Sequence, residues 1–594
     1  MAISQTSETS IIPYLPEEAA EFEERVGRVR TGQESEAEFQ TYRLRRGIYG
    51  QRQAERQMVR IKIPLGVLTA DQMDVLGRVV AEYAPLRKGH FTTRENLQLH
   101  HVPLDRAAGL MRLLGTVGLT TREACGNTVR NVVGCPLAGV CPDEVFDATP
   151  YGAAFVRYFI RRDLFQNLPR KFKVAFTGCH EDHAITQIHD MGQVGRIRRE
   201  NGGPVRGFTM LVGGGTSIEP KLAQQLYEFV PADDGSYLRV AEAVLRVFNR
   251  SDELRKNRMR ARIKILVHRV GIDAFREMVE QELREPWARQ PIDLAAYLPA
   301  APVFADAPGL PPSPMSSQNG SAVFRRWVRT NVTAQKQSGY YAATVTLPLG
   351  DVAAEQFPSL AEISRKFGSS TLRVTQDQKL VLRWIPGGAL HEVWAALDAI
   401  GLGEGGAHRI NDVTACPGTD SCKLGITSSM GLGRAIRSML HGHPELYEDP
   451  LIDRLHIKIS GCPNGCGQHH IADIGFHGAA VKGDGGRQVP AFEVFVGGRF
   501  EGGEARYGTR LRTKIPTKAI PGAVHAFLTL YREQRQPDEP FPAFVDRVGR
   551  EAFEQVAVPL TQIPAFTPDQ PEFYRDWDQT MLYRVERGEG ECAV

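Results

Sequence analysis

Four cysteines carry the strongest chemical signal in the chain. Cys416 and Cys422 stand in CPGTDSC, spaced C-x5-C, and Cys462 and Cys466 stand in SGCPNGCG, spaced C-x3-C. Four thiolates delivered from two turns are the ligand set of an iron–sulfur cube. Gly461, Gly465 and Gly467 let the second turn wrap tightly, with backbone N–H groups turned toward a negatively charged cluster. Zinc is the rival: C-x3-C suits a structural zinc site, whereas C-x5-C is unusual in one. Buried inert thiols are the third reading, since cysteine is commonly buried.

The same spacing occurs earlier in the chain with one ligand changed. Cys135, Cys141 and Cys179 are the counterparts of Cys416, Cys422 and Cys462, but the counterpart of Cys466 is His183. The favoured expectation is a decayed cluster site; the alternative is a centre with a histidine ligand. Positive charge shows the opposite asymmetry. Arg60 aligns with Thr344, Arg94 with Asp377 and Arg130 with Asn411. Lys171 and Lys173 alternate in LPRKFKVAF, so a strand there turns both to one face. Such cations suit a small anion or a carboxylate-rich cofactor. Any one of them alone reads equally as surface charge.

These pairings follow from an internal duplication. GIYGQRQAERQMVRIKIPLG matches NVTAQKQSGYYAATVTLPLG, FTTRENLQLHHVP matches RVTQDQKLVLRWIP, and VRNVVGCP matches INDVTACP. TGCHEDHAITQIHDMG matches SGCPNGCGQHHIADIG, and FTMLVGGG matches FEVFVGGR. All five keep one order at an offset within 281 to 285 residues. Packing about a pseudo-twofold axis would bring the thiolates of one half to the cations of the other. Each half opens with a strand ending at PLG, then a helical stretch (TADQMDVLGRVVAEYA or SLAEISRKFG), then an alternating strand (LQLHHVP or LVLRWIP). This predicts a small βαβ-type sheet module, followed in each half by a longer α/β stretch that carries the cysteine turns. Residues 251–283 read as one long helix, basic in its first turns. The Pro/Ser/Gly-rich stretch 299–321 reads as a linker.

The bulk properties exclude several classes. A chain of 594 residues with 42% hydrophobic and 24% charged residues has the composition of an ordinary soluble protein of several domains. A net charge of +3 is too small to argue for nucleic acid. No apolar run approaches the ~18 residues of a membrane span. The first residues lack a basic start followed by an apolar core, so a cytoplasmic location with reduced thiols is expected. Nine cysteines, clustered, then suggest metal or redox chemistry.

The two cysteine pairs about forty residues apart, together with TTREN, LPRKFK and the duplication, resemble the sirohaem-containing sulfite and nitrite reductases over roughly residues 40 to 535. The resemblance implies an α+β fold: paired ferredoxin-like modules and two α/β lobes about a pseudo-twofold. The expected partition is a 1–46 arm, a 47–120 module, a 121–298 lobe, a 299–325 linker, a 326–400 module, a 401–535 lobe and a 536–594 tail. It implies a [4Fe–4S] cluster on Cys416, Cys422, Cys462 and Cys466, with the Cys466 sulfur bridging to the sirohaem iron. It places Arg60, Arg130, Lys171 and Lys173 at the substrate anion, and Thr92, Arg94 and Gln98 at the sirohaem carboxylates.

The implied reaction is the six-electron reduction of sulfite to sulfide, with reduction of nitrite to ammonia as the alternative. Lys173 is the sulfite-type residue, and a dianion gains more than nitrite from a further cation. NVVGCPLAG, TTREN and the stretch from IADIGFHG to VFVGGR look closer to the nitrite branch. No G-x-G-x-x-G fingerprint in a strand–turn–helix setting and no flavodoxin-like extension are found, so an external donor is expected. It is ferredoxin by resemblance, or else a separate flavoprotein, and the basic stretch Arg255–Arg262 is a candidate docking surface. A metal-stabilised binding module without redox activity is the reading from another class. The role of Cys592 is expected to be that of an exposed bystander.

Overall fold

The computed structural model describes residues 10–200, 202–299, 307–315, 320–588 and 590–591. Its strands form four five-stranded sheets, two per half. In the first module, Arg56–Ile61 pairs antiparallel with Leu97–Pro103, which pairs antiparallel with Lys88–Phe91. In the second, Tyr340–Val345, Leu380–Pro386 and Thr371–Val374 repeat the arrangement. The order strand–helix–strand is as the sequence predicts, but the pairing inside each module is antiparallel rather than βαβ-like.

The modules also exchange a strand. Val67–Thr69 of the first module pairs with Thr371–Val374 of the second, and Asp351–Ala353 of the second pairs with Lys88–Phe91 of the first. Each exchanged strand leaves a PLG turn in which Leu65 and Leu349 take φ of 57° and 54°. Gly66 follows at φ 66°, and a Cβ there would lie 2.3 Å from the Val374 carbonyl oxygen, so only glycine fits the crossing. Helices Ala70–Tyr83 and Gln356–Phe367 cover the sheets and touch at Gly77, whose absent Cβ would meet the Phe357 Cβ at 3.0 Å. The first is started by a capping box between Thr69 and Gln72. One hydrophobic core, including Leu68, Leu76, Phe91, Phe357, Leu360 and Leu372, runs through both modules. The duplication therefore folds as one interlocked body.

Each lobe repeats a second topology. Val129–Val133, Phe172–Thr177 and Met191–Glu200 run parallel, and Gly203–Val212 and Gln224–Pro231 continue antiparallel. Thr414–Ala415, Ile457–Ser460 and Ile474–Lys482 run parallel, and Gln488–Val496 and Thr509–Pro516 complete the second lobe. Helix Phe541–Ala557 puts Phe541, Phe544 and Phe553 into the core of this second lobe. Two N-terminal helices, Pro16–Arg30 and Glu36–Arg45, pack Phe22 and Phe39 onto the first module.

The long helix expected over 251–283 is broken. Asp252–Arg255 is a single turn, Arg258–Arg260 is a 3-10 turn, and helices Ile263–Val270 and Ile272–Leu283 are separated at Gly271, φ 86°. Glycine is the poorest ordinary helix former and readily takes this φ, which the charge pattern of the stretch masked. The described part of the linker is held against the second module: Tyr340 Oη donates to the Leu310 carbonyl at 2.8 Å, and Gly387 N to that of Ser313 at 2.9 Å. Residues 300–306 and 316–319 of the linker, and Cys592, lie outside the described residues. Among the described residues, no helix is long and apolar enough to cross a membrane.

Candidate active site between the halves

Both cysteine turns leave the same end of two adjacent parallel strands. Cys416 follows Thr414–Ala415, Cys462 follows Ile457–Ser460, and Cys416 N donates to the Ile459 carbonyl at 3.2 Å. The turns touch through backbone. A Cβ on Gly461 would lie 2.6 Å from Gly418 Cα, and one on Gly467 would lie 2.0 Å from the Ile459 carbonyl oxygen. Gly465 takes φ 67°. Gly461 N points at Cys416 Sγ, 3.2 Å away, an inward N–H of the kind that stabilises a thiolate. Cys462 is buried, Cys416 and Cys422 are half-buried, and Cys466 is exposed.

The sulfur spacing discriminates between metals. Tetrahedral zinc with ~2.3 Å Zn–S bonds draws its sulfurs to about 3.8 Å from one another. No three of these four cysteines bring their sulfurs within 4.8 Å of each other among the described residues. The site is too open for one zinc ion and leaves the room that a cube requires. Burial and the neighbouring Cys466 sulfur push the Cys416 thiol up to about 12, so a bound cation is what would hold it as a thiolate at neutral pH.

The first module reaches across to this turn. Thr93 Oγ1 donates to the Cys466 carbonyl at 2.7 Å. Its turn is held by Thr92, whose hydroxyl accepts from Arg94 N at 3.2 Å and Asn96 N at 3.3 Å. Arg94 donates through Nη2 to the Asn131 carbonyl, while its Nε and Nη1 are buried with no partner. Gln98 lies opposite Arg60 in the sheet register, and its amide oxygen accepts from Arg60 Nε at 2.9 Å. Arg60 Nη1 and Arg130 Nε share the Ala124 carbonyl, each at 3.1 Å. Lys171 and Lys173 are half-buried on either side of buried Phe172.

The field among these groups is strongly positive. Burial, then Arg170, Arg130 and Arg262, lower Lys171 to about 8, while the Cys466 sulfur opposes them. Lys173 is driven well below the usual lysine value by burial, then by Arg94, Arg262 and Lys171. Burial likewise lowers Arg94 to about 9. Cys466 is thus within electrostatic reach of lysines from the opposite half, and the thiols of one half and the cations of the other meet. Unpartnered Arg94 N–H groups facing such a field fit a carboxylate-rich cofactor, and the four cysteines fit its cluster.

Several site residues escaped the sequence reading. Asp190 is fully buried and accepts from Arg262 Nε at 2.8 Å, from Arg262 Nη2 at 2.7 Å and from Lys173 N at 2.7 Å. Asp190 stands in the quoted repeat, IHDMG against IADIG, so its counterpart Asp473 was available as a signal. Arg262 itself was expected on a docking surface; its buried pair with Asp190 removes it from that surface. Arg255 and Arg260 are exposed and engage Asn249 and Glu219. Thr93 stands inside the TTREN motif, which the sequence reading used only for Thr92 and Arg94.

Comparison with known proteins agrees with this geometry. The family description "Nitrite and sulphite reductase 4Fe-4S domain" matches residues 125–287 and 406–562, and "Nitrite/Sulfite reductase ferredoxin-like half domain" matches 49–117 and 333–400. The chain is 31% identical over 496 residues to sulfite reductase [ferredoxin] 1 of Mycolicibacterium paratuberculosis, covering 83% of this chain and 82% of that one. It is 28% identical to an assimilatory ferredoxin-dependent nitrite reductase of Haloferax mediterranei, covering 86% of both. The solved structure of Mycobacterium tuberculosis NirA protein superposes with a TM-score of 0.72 at 30% identity, covering 86% of this chain and 90% of that one. With both domain types matched twice in alternation over most of its length, the chain belongs to the nitrite and sulphite reductase family, whose centre is sirohaem coupled to a [4Fe–4S] cluster.

Proposed function

We propose that this chain reduces sulfite to sulfide with six electrons delivered by ferredoxin. Cys416, Cys422, Cys462 and Cys466 would hold the cluster, and Cys466, the exposed thiol within electrostatic reach of Lys171 and Lys173, would be the ligand next to sirohaem. When bound, the coupled centre supplies the anion-binding iron and the single-electron steps. The chain's own residues do the rest. Arg94 pairs with a cofactor carboxylate through the N–H groups left without partners. Thr92 shapes the turn that aims Arg94, and Gln98 holds Arg60 in its plane. Arg60, Arg130, Lys171 and Lys173 offset the charge of the entering anion. Lys171, near its titration point at about 8, carries a proton on Nζ at neutral pH and can release it as oxygen leaves as water. The partition proposed is two modules (47–120, 326–400), a first lobe (121–298), a second lobe that begins at 401 and, against the expected end at 535, runs on through helix Phe541–Ala557, whose phenylalanines fill its core, with an arm, a linker and a shorter tail. The proposed compartment is the cytoplasm, where thiols assigned to metal centres stay reduced.

The observation that carries the sulfite reading is Lys173 in the cation field opposite Cys466. One unit pair at ~4 Å is worth about 4 kcal/mol at an effective dielectric near 20, and a dianion collects it twice. The second reading, nitrite to ammonia, is favoured by the Haloferax relative and by the ferredoxin–nitrite reductase of rice, 30% identical over 501 residues. Steady-state rates on purified holoenzyme with reduced ferredoxin decide between them. The expected result is higher kcat/KM on sulfite, with Lys173→Asn lowering sulfite activity more than nitrite activity. A wild type that prefers nitrite, with a Lys173→Asn variant indifferent to the anion, would overturn the assignment.

A further inference from the structure

The three cysteines of the first lobe do not look like the remains of a cluster site. Cys135 Sγ lies 3.7 Å from Cys179 Sγ and 3.5 Å from His183 Nδ1. Ligand atoms of Cys141, Cys179 and His183, with an oxygen of Asp143, all fall within 4.8 Å of one another. Tetrahedral zinc with ~2.3 Å Zn–S and ~2.05 Å Zn–N bonds needs about 3.8 Å between sulfurs and about 3.6 Å between sulfur and nitrogen. Cys135 matches both distances, to Cys179 and to His183, and Cys141 shares the 4.8 Å group with those same two residues, whereas no three of the second-lobe cysteines form such a group among the described residues. We propose that Cys135, Cys141, Cys179 and His183 bind one Zn(II) ion, a second metal centre at the pseudo-symmetric position of the cluster.

Burial and chemistry agree with this. Cys135, Cys141 and Cys179 are each at most 3% exposed and pack on one another with Ala138 and Leu137. Inert buried thiols account for that packing but not for an imidazole nitrogen turned into it. Three thiolates and one imidazole select zinc over the harder cations. His183 has the outer partner that metal-bound histidines use: its Nε2 is 3.5 Å from a Glu181 carboxylate oxygen while Nδ1 faces the thiols. Asp143 accepts from Glu181 N at 2.6 Å and from the Cys141 thiol at 2.6 Å; the second bond would be given up when Cys141 loses its proton to the metal. Exchange of the fourth thiol for His183 thus leaves a closed four-ligand site.

A closed site with four protein ligands is structural, and the fold shows what it would fix. The Cys135–Glu144 loop meets the second module: Lys336 N donates to the Val140 carbonyl at 2.9 Å, Gln337 Nε2 to that of Gly139 at 3.0 Å, and Lys336 Nζ pairs with Glu144 at 2.7 Å. Zinc would tie this loop to the end of strand Phe172–Thr177, the strand that begins beside Lys171.

The test is metal analysis of holoenzyme purified from zinc-replete cells, with zinc K-edge absorption on the same sample. The expected result is about one zinc per chain beside the iron, with three sulfurs near 2.3 Å and one nitrogen near 2.0 Å. His183→Ala and Cys141→Ser should each lower zinc at least five-fold while sirohaem absorption and iron per chain persist. Iron-replete wild type without zinc would overturn the proposal. So would zinc undiminished in both variants, extra iron in place of zinc, or a Cys135–Cys179 disulfide found by mass spectrometry. The wild-type absorption spectrum decides the ligand set even if a variant fails to fold.

Discussion

Asp190→Asn tests how the first lobe holds positive charge beneath the anion site. The Asp190 carboxylate is fully buried and accepts three hydrogen bonds, two from Arg262 and one from Lys173 N. Asparagine preserves the volume but removes the charge and turns an NH2 toward at least one donor. The Arg262 side chain, 8% exposed, then lacks its counter-charge. Removing one member of a buried ion pair costs about 3–5 kcal/mol. For a unit the size of this lobe, each kcal/mol moves the midpoint by about 2–4 °C, so a fall of about 6–20 °C is expected. Thermal unfolding followed by circular dichroism and tryptophan fluorescence reads it. The control is Asp190→Asn with Arg262→Met, which removes the stranded charge and should recover at least half of the loss. An Asp190→Asn variant within 2 °C of wild type refutes the reasoning. So does a double variant no more stable than the single one, since the penalty would then lie elsewhere than in the unpaired guanidinium.

Three further outcomes follow from the geometry. Gly467→Ala places a Cβ 2.0 Å from the Ile459 carbonyl oxygen, so the cysteine turn must open; cluster iron should fall at least five-fold, read by iron and labile-sulfide analysis. Lys171 has a folded-state pKa of about 8 against an ordinary 10.5, so it is charged below pH 8 and neutral above it. Affinity for sulfite should therefore fall as pH rises through about 8, and Lys171→Gln should abolish that inflection in the pH profile of KM. On stability the sign is opposite: the unfolded chain holds the extra proton between about pH 8 and 10.5, so Lys171 contributes stability that rises with pH across that window. Glu591 accepts from Arg43 at 2.7 and 2.8 Å and from Gly50 N at 2.8 Å, and pairs with Lys423 beside Cys422. Glu591→Gln should cost about 1.5–3 kcal/mol and hasten proteolysis of the C-terminal segment.

The sequence exposed what is local or repeated. Cysteine spacing, the PLG turns and the matched strands are adjacent in the chain, and their counterparts in the other half made them visible. The strand exchange was not visible, because alternation of apolar residues shows which face is buried and says nothing about which strand pairs with Val67–Thr69. Arg262 illustrates the same limit for charge. In a run of basic residues it reads as surface, and only tertiary structure brings Asp190 to it from 72 residues away. Thr93 is an ordinary polar residue whose partner, the Cys466 carbonyl, lies 373 residues on. For the first-lobe cysteines the sequence left both decay and a histidine-ligated centre open, since spacing alone cannot distinguish a thiol lost from a thiol replaced.

The two halves keep one backbone frame and divide the charges between them. Thr375 holds its turn as Thr92 does, accepting from Asp377 N and Lys379 N at 3.2 Å each. Asp473 accepts from His456 N at 2.8 Å as Asp190 does from Lys173 N. Gln376 reaches the Ala184 carbonyl of the opposite lobe as Thr93 reaches that of Cys466. None of these bonds depends on the charged side chains beside them, so those were free to diverge. In the second half they neutralise each other: Asp377 pairs with Lys458 at 2.5 Å, and Lys379 with Asp412 at 2.8 Å. In the first half Arg94 has no such partner, because the position matching Lys458 is the buried Ala175. Its charge is left for a ligand. Arg94→Asp should therefore lose sirohaem and also destabilise the lobe, by stranding a buried carboxylate. Adding Ala175→Lys should rebuild the pair of the other half and recover stability while sirohaem content stays low. If the double variant instead regains the cofactor, Arg94 is not its anchor, and the division of charge between the halves has another cause.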